Sequence, residues 1–343
     1  MALMILAAAC RGETEATTTE DQIQAPTATV AESLAPASEQ TAATATDTPA
    51  TPLPTETHTS TVPKAADDSG TGLAEPIPHE GVQTTSFCTV DGVDLLMDVY
   101  YPSGFAGNAP AVLYVHGGGW TSGSRDLGTG FSFVPGIVEQ GFVVFAVDYR
   151  LAPEYPFPAQ IQDVQCAVRS IRANASLYGI DPDRIGAIGG SAGGHLVDLL
   201  GTAEDGDFPI VGGYAGYSGR VSVVVGMFGA TDFSDPNMRG HNASHVSVFG
   251  SSDPNSAQLQ AAGSVNYVDD EDADFLLIHG VEDDVVPVTQ TKRLEAALNA
   301  AGVEVRAVYI ENAGHGFAPS GGVPSLNRAE IAQLIVEFVS AHL

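Results

Sequence analysis

From residue 86 onward the chain alternates between short apolar runs and amphipathic stretches, a pattern that predicts strands separated by helices. Near-continuous apolar runs such as APAVLYV (109–115) are typical of strands buried on both faces. In AQIQDVQCAVRSIRANASLYG (159–179), apolar residues return every three or four positions and a glycine follows the last of them, which predicts one amphipathic helix. Strands that alternate with helices indicate an α/β fold with a mostly parallel sheet and helices on both faces.

The stretch SFCTVDGVDLLMDVYY (86–101) comes before this alternation and predicts two strands joined by a tight turn at Asp91-Gly92. In an open α/β sheet, ligands bind beyond the carboxyl ends of the strands. Glycine-rich and acidic motifs follow several of the predicted strands. We therefore expect the chemistry of the protein to lie at that edge of the sheet.

The first part of the chain has a different composition. Residues 1–86 contain no Phe, Tyr or Trp and are rich in Thr, Ala, Pro and acids, so they bury too little apolar surface to offset the entropy of ordering. We predict an atypical or truncated lipoprotein-like signal at 1–10, a disordered acidic tether at 11–80 and one α/β domain at 81–343. The run LAAAC resembles the end of a bacterial lipoprotein signal, so we expect export and a lipid anchor at Cys10, with a cytoplasmic start as the alternative.

Charge and cysteine content narrow the functional classes. The formal net charge is −29, with 13 basic against 42 acidic residues, so the chain lacks the basic patch that displaces counterions from nucleic acid. An acidic surface of this kind keeps an exported protein soluble. Cys88 and Cys166 lack the spacing of a metal site, and we favour two buried thiols, with a disulfide as the alternative if the protein is exported.

The motif GGSAG (189–193) matches G-x-S-x-G and lies between a predicted strand and a predicted helix, the context that this motif requires. The flanking glycines remove Cβ atoms that would collide in such a tight turn. The helix N-terminus directs backbone N–H groups at a developing negative charge. We predict that Ser191 is a nucleophile and that His195, one helical turn further on, packs in the interior instead of acting as its base.

A second motif, HGGGW (116–120), follows a buried strand. Three consecutive glycines expose main-chain N–H groups that no side chain covers, which favours an oxyanion hole. We predict Gly118 and Gly119 as donors, together with the amide of Ala192. His116 and Trp120 are expected to position this loop without reacting.

The base and the acid are predicted on two later loops. His315 lies on a glycine-flanked loop after the last long strand, where a base can reach a serine on another strand. Glu282, Asp283 and Asp284 all follow a buried strand and compete for the acid that orients this histidine. Activity through a neutral imidazole is expected to fall at acidic pH, as the imidazole is protonated.

The motifs together carry a resemblance to a known family. With DYRLAPEYPFPAQIQDV, HGVEDDVVP and NAGHGF added, residues 84–343 resemble α/β-hydrolase esterases with an HGGGW oxyanion loop, of the hormone-sensitive-lipase-like and bacterial feruloyl/carboxylesterase type. In the family pattern H-G-x-x-D-x-x-V-P the acid is the fourth residue after the histidine, which selects Asp283, with Asp284 as the alternative. The resemblance implies an α/β-hydrolase fold with a small loop-rich cap, a Ser-His-Asp triad of Ser191, His315 and Asp283, and neither a metal nor an organic cofactor.

The expected substrate is a small-molecule or polymer-borne ester. Loop-rich insertions at 201–219 and 233–262 are expected to line or cover the pocket, and a small cap favours short acyl or aryl esters. Two alternatives stay open on the same fold: an aryl formamidase or serine peptidase, and a catalytically silent module for surface binding.

Overall fold

The computed structural model describes residues 81–127, 133–235, 238 and 242–343. The predicted signal at 1–10, the tether at 11–80 and the lipid-anchor site at Cys10 lie outside the described residues. Within the described ranges, none of the helices combines the length and the apolar character needed to cross a membrane.

The strands of the described residues form a single sheet. They are Val82–Val90 (β1), Val93–Tyr100 (β2), Ala109–Val115 (β3), Val143–Val147 (β4), Ile180–Gly190 (β5), Val223–Met227 (β6), Asp274–Gly280 (β7) and Val305–Ile310 (β8). Their spatial order is β1-β2-β4-β3-β5-β6-β7-β8. The hairpin of β1 and β2 is antiparallel and joins β4 in antiparallel fashion, whereas all later neighbours are parallel. The predicted mostly parallel sheet is confirmed.

Helices cover both faces of this sheet, as predicted. They are Phe133–Glu139 (α1), Ala159–Ala173 (α2), Ala175–Tyr178 (α3), Ala192–Thr202 (α4), Asn242–Phe249 (α5), Ala257–Ala262 (α6), Thr289–Ala301 (α7) and Arg328–His342 (α8). The core between sheet and helices has two parts: α2, α4 and α7 contribute to one, and α1 and α8 to the other. All residues of β4 and β6 are buried because both of their faces are covered.

The single helix predicted over 159–179 is two helices. α2 ends at Ala173, and the Asn174 side chain donates a hydrogen bond to the Ser170 carbonyl at 2.8 Å. The Ser170 carbonyl also accepts the backbone N–H of Asn174 at 3.0 Å, so the asparagine side chain competes with the helix for this carbonyl at the end of α2. The short α3 follows and ends at Gly179, whose φ of 66° is the left-handed conformation of a helix end.

Cys88 of β1 and Cys166 of α2 are joined by a disulfide, with 6.5 Å between their Cα atoms. The favoured prediction of two buried thiols is therefore wrong, and the alternative, a disulfide, is what the structure contains. Spacing along the chain did not reveal the pair because it depends on α2 packing across β1. Both cysteines are buried in the same core.

Asp198 of α4 is a buried acid in this core. A Cβ built on Gly226 would lie 2.1 Å from Asp198 Oδ1, so a glycine is needed beside it. This oxygen is without a hydrogen-bond partner among the described residues. Burial raises the pKa of Asp198 well above its ordinary value. The folded chain therefore holds this proton more tightly than the unfolded chain, and the folded state loses stability as the pH rises above about 3.9.

We expect Asp198→Asn to remove that pH dependence. Between the unfolded and folded pKa values the aspartate costs about 1.4 kcal/mol per pH unit, which a non-titrating amide of the same shape avoids. Thermal melts should therefore show a larger gain in Tm for the variant at pH 8 than at pH 5. The exposed Asp270→Asn serves as the control. An equal change in Tm at both pH values would contradict the assignment.

Candidate active site

Ser191 occupies the sharp turn between β5 and α4, with φ 58° and ψ −121°. A non-glycine residue in this region is strained and persists only where its surroundings hold it. A Cβ on Gly189 would lie 2.3 Å from the Gly193 carbonyl oxygen, and one on Gly193 would lie 2.2 Å from that of Val115. The two glycines are thus required for the turn to form against the end of β3.

His315 connects Ser191 to Asp283. It opens the 3₁₀ turn His315–Phe317 after β8. Its Nε2 lies 3.0 Å from Ser191 Oγ, and its Nδ1 lies 2.8 Å from Asp283 Oδ2. Because a carboxylate only accepts, Nδ1 carries the proton and the Nε2 lone pair faces the serine hydroxyl. The structure therefore brings together the three side chains that the sequence singled out, with the tautomer that a general base requires.

Asp283 is held as a carboxylate. Its Oδ1 accepts the backbone N–H groups of Val285 and Val286, both at 2.9 Å. Burial alone would raise its pKa, but hydrogen bonds from His279, His315 and the Val286 amide outweigh burial and hold the pKa below its ordinary value. An ionised Asp283 stabilises the imidazolium that forms when His315 takes up a proton.

The two neighbouring acids do other things. Glu282 accepts the backbone N–H of Ala313 at 2.9 Å, which ties this loop to the loop that carries His315. The side chain of Asp284 is exposed. Of the three acids that compete in the sequence, Asp283 is the one in contact with His315.

His279 supports Asp283 from behind and was not recognised from the sequence as more than a reference point for counting. It is fully buried at the end of β7, and its Nε2 lies 2.9 Å from the Val286 carbonyl and 3.3 Å from Asp283 Oδ2. Both neighbours accept, so Nε2 carries the proton. Nδ1 then accepts the hydroxyl of Thr291 at 2.6 Å. The sequence signal for His279 was a polar residue near the end of an otherwise apolar strand.

Two peptide units of the HGGGW loop have fixed orientations. The Gly117 carbonyl accepts Nδ1–H of His116 at 2.7 Å, and the Gly118 carbonyl accepts the N–H of Thr121 at 3.2 Å. In a trans peptide the N–H points opposite to the carbonyl, so the N–H groups of Gly118 and Gly119 point away from these partners. The backbone hydrogen bonds of the described residues use neither of the two N–H groups.

The third predicted donor, Ala192, follows Ser191 and opens α4. The first N–H groups of a helix have no partner within the helix, so this amide is free for a ligand. His116 supports the loop from the other side: it stacks on Tyr149 at 4.2 Å between ring centroids, and Tyr149 Oη donates to the His116 carbonyl at 3.0 Å.

Ser191 opens onto a cavity of about 420 Å³. The described residues that line it include no Asp, Glu, Lys or Arg; they are Tyr114, Gly117, Gly118, Gly119, Gly190, Ser191, Met227, Phe228, His315 and Gly316. Phe228 forms an apolar wall and meets the ring of His315 edge-on at 4.9 Å. Its φ of 40° is unusual for a bulky residue. The sequence analysis missed Phe228 because no local pattern reveals that conformation.

The expectation that 201–219 lines the pocket is wrong. None of these residues is among the described residues that line the cavity. α4 starts beside Ser191 at the carboxyl edge of the sheet and runs back along it, and Phe208 of the following segment packs on Phe157 with 5.8 Å between ring centroids. The described helices of the second insertion, 233–262, do lie on the active-site side. They are α5 and α6, and Phe249 of α5 packs on Trp120 with 5.1 Å between ring centroids.

The mostly parallel sheet and the serine turn at the end of β5 define an α/β-hydrolase, as the sequence predicted. The BD-FAE family model matches residues 97–298, which is more than half of the chain. The protein belongs to this family.

Named relatives agree with this class. Esterase LipC of Mycobacterium tuberculosis is 33% identical over 220 residues, which cover 61% of this chain and 53% of LipC. The chain spans about half the length of these curated relatives, LipC and the esterase LipQ of the same organism. A truncated carbohydrate esterase from gut microbiota is 26% identical, with a TM-score of 0.65 over 78% of this chain and 98% of its own. The propionate-bound esterase Est2 of Thermogutta terrifontis, a planctomycete, is also 26% identical, with a TM-score of 0.63 over 78% and 97%.

Proposed function

We propose that this protein is a serine carboxylic-ester hydrolase that acts on short acyl or aryl esters through an acyl-enzyme intermediate. The observation that carries the proposal is the hydrogen-bonded series from Asp283 through His315 to Ser191, which ends at an uncharged cavity. The names of the relatives, which are esterases, support the same reaction class.

The reaction follows from the positions of the groups. His315 Nε2 takes the proton of Ser191 as Oγ attacks the ester carbonyl, and Asp283 stabilises the imidazolium. The amides of Gly118, Gly119 and Ala192 bind the oxyanion of the tetrahedral intermediate. The intermediate collapses, the alcohol leaves with the proton from His315, and water attacks the acyl-enzyme by the same route to release the acid.

The chemistry of the cavity supports neutral substrates with a short apolar substituent. No charged side chain is present among its described lining residues to pair with an ionic substrate, and Phe228, Met227 and Tyr114 provide apolar surface. The propionate in the Est2 structure is a short acid of the kind that such a reaction releases. The gut carbohydrate esterase is consistent with an ester borne on a polymer, which is part of our proposal.

We also propose that the protein is exported. The disulfide between Cys88 and Cys166 supports this location, because disulfides persist in oxidising compartments and are rare in the cytosol. A lipid anchor at Cys10 remains a proposal that rests on the sequence.

A matched set of substrates tests the reaction class. We expect p-nitrophenyl acetate to be turned over faster than a formyl-aryl amide or a dipeptide amide. Dominant amide turnover would replace the esterase with a formamidase or peptidase. A fluorophosphonate probe separates both from a silent binding module, since it labels an activated serine and leaves an inert one unlabelled.

We expect Phe228→Ala to lengthen the range of accepted esters. Removing the ring opens one wall of the cavity, and each methylene that gains apolar contact contributes about 1–3 kcal/mol, or about 5- to 150-fold in kcat/KM. Two ester series measure this: p-nitrophenyl esters of increasing acyl length, and acetates of increasing alcohol length.

The control for that prediction is Phe317→Leu, at a ring that packs on Phe228 with 4.9 Å between centroids but is not among the described residues lining the cavity. It should leave both length profiles unchanged. If neither profile shifts in Phe228→Ala while acetate turnover persists, Phe228 does not limit substrate length.

A further inference from the structure

His195 is a fully buried polar side chain on the helix that begins after Ser191. The Nε1–H of Trp120 donates to its Nδ1 at 3.0 Å, and its Nε2 lies 2.8 Å from the carbonyl oxygen of Ala262. An indole nitrogen only donates, so Nδ1 holds the lone pair and Nε2 donates its proton to Ala262. Both ring nitrogens are therefore hydrogen-bonded, and a single neutral tautomer of the ring makes both bonds.

The protonation state of His195 agrees with this geometry. Burial lowers its pKa to about 4, although the bond to Ala262 partly opposes that shift. The ring is consequently neutral at neutral pH. Protonation would place an N–H opposite the N–H of Trp120, where only an acceptor fits.

Trp120 needs such support because its backbone is strained. Its φ is 61°, in the left-handed region that a bulky residue rarely adopts. Such a conformation persists only where surrounding contacts outweigh its strain. Besides the bond to His195, the Trp120 carbonyl accepts the N–H of Ala152 at 2.9 Å, and its ring packs edge-on against Phe249 at 5.1 Å.

We infer that His195 is a positioning residue for the oxyanion hole, which it assembles by bonding Trp120. Trp120 directly follows Gly119, and His195 lies in the first turn of the helix that Ala192 opens. The bond therefore joins the loop after β3 to the helix after β5, and these two elements supply all the proposed donors. The inference rests on the proposed hydrolase reaction and adds a residue that touches no substrate.

Two substitutions at position 195 separate its two hydrogen bonds. In His195→Asn, the amide oxygen lies near the place of Nδ1 and still accepts from Trp120, whereas the shorter side chain does not reach Ala262. In His195→Gln, the amide nitrogen reaches the place of Nε2 and still donates to Ala262, but no acceptor remains for Trp120. Trp120→Phe removes the same bond from the other side and keeps an aromatic ring in place.

We expect His195→Gln and Trp120→Phe each to lower kcat by about 10- to 100-fold with little change in KM, because oxyanion contacts act in the transition state. His195→Asn should retain at least a third of the kcat. The double variant Trp120→Phe/His195→Gln should lose no more than the worse single variant, since both remove one bond. The pH profile of kcat/KM should keep its shape, since His315 is untouched.

Thermal melts of every variant distinguish positioning from packing. If His195→Asn loses as much kcat as His195→Gln, or if the losses follow the decrease in Tm, His195 serves the core alone and the inference is wrong. Additive losses in the double variant would also overturn it. The ratios are measured on whichever substrate the wild type turns over, so a wild type that prefers amides overturns the esterase proposal and still tests His195.

Discussion

Ser191→Ala is expected to lower ester turnover by about 10⁶-fold while leaving the fold intact. Nε2 of His315 lies 3.0 Å from Ser191 Oγ, the nucleophile. Among the described residues, no other hydroxyl group is hydrogen-bonded to this nitrogen. Removing one member of a unit that acts together costs about as much as removing all of them. His315→Ala and the double variant should therefore fall to the same level.

Steady-state rates and fluorophosphonate labelling measure this result. Ser252→Ala, at an exposed residue between α5 and α6, is the matched control and should keep both the rate and the label. Persistent labelling of Ser191→Ala would place the nucleophile elsewhere. Normal turnover in His315→Ala together with its loss in His195→Ala would transfer the role of base to His195.

Asp283→Asn is expected to lower kcat by about 10⁴-fold. Oδ1 of Asp283 accepts two backbone N–H groups, so the amide oxygen of asparagine must take that place. Its NH₂ group then faces His315 Nδ1, at the place where Oδ2 now accepts. This reverses the tautomer of His315, and Nε2 carries a proton instead of accepting one from Ser191.

The neighbouring Asp284→Asn makes this test specific. It changes the same charge one residue away on an exposed side chain and should leave kcat within about twofold, as surface changes usually do. The kcat of both variants is measured with p-nitrophenyl acetate, and their Tm values are compared to show that both are folded. The two kcat values decide between the two acids. A large loss in Asp284→Asn alone would reverse the assignment.

The period of apolar residues predicted the order of strands and helices, because that period reports which faces are covered. It did not predict the end of α2, where the Asn174 side chain competes with the helix for a carbonyl. The error over 201–219 has a simpler origin. The length of this insertion suggested a cover for the pocket. The direction of α4, which leads away from Ser191, decides where the insertion begins.

The predicted site residues were recognisable because their chemistry depends on local patterns. Around Ser191, the glycines mark places where a Cβ would collide with the backbone. Before Trp120, they mark places where a side chain would cover a main-chain amide. The acid was different: three adjacent carboxylates share one local pattern, and a family resemblance selected Asp283. In the structure, burial and a 2.8 Å contact with His315 distinguish it from the others.

The supporting contacts were beyond reach of the sequence because each joins elements far apart in the chain. The bond from Trp120 to His195 spans 75 residues. The position of Phe228 beside His315 depends on a positive φ at the end of β6. Such contacts depend on how closely β3, β5, β6 and the loop after β8 approach one another, which no local pattern contains.

The distribution of the site over the sheet has a consequence for how the chain acquires activity during folding. Ser191 and His315 are 124 residues apart, and the segments beside them come from β3, β5 and the ends of β7 and β8. Helices form from local contacts in microseconds, whereas pairing of distant parallel strands requires slow closure of long loops. Recovery of turnover after dilution from denaturant therefore reports the completed sheet, and circular dichroism at 222 nm reports an earlier event.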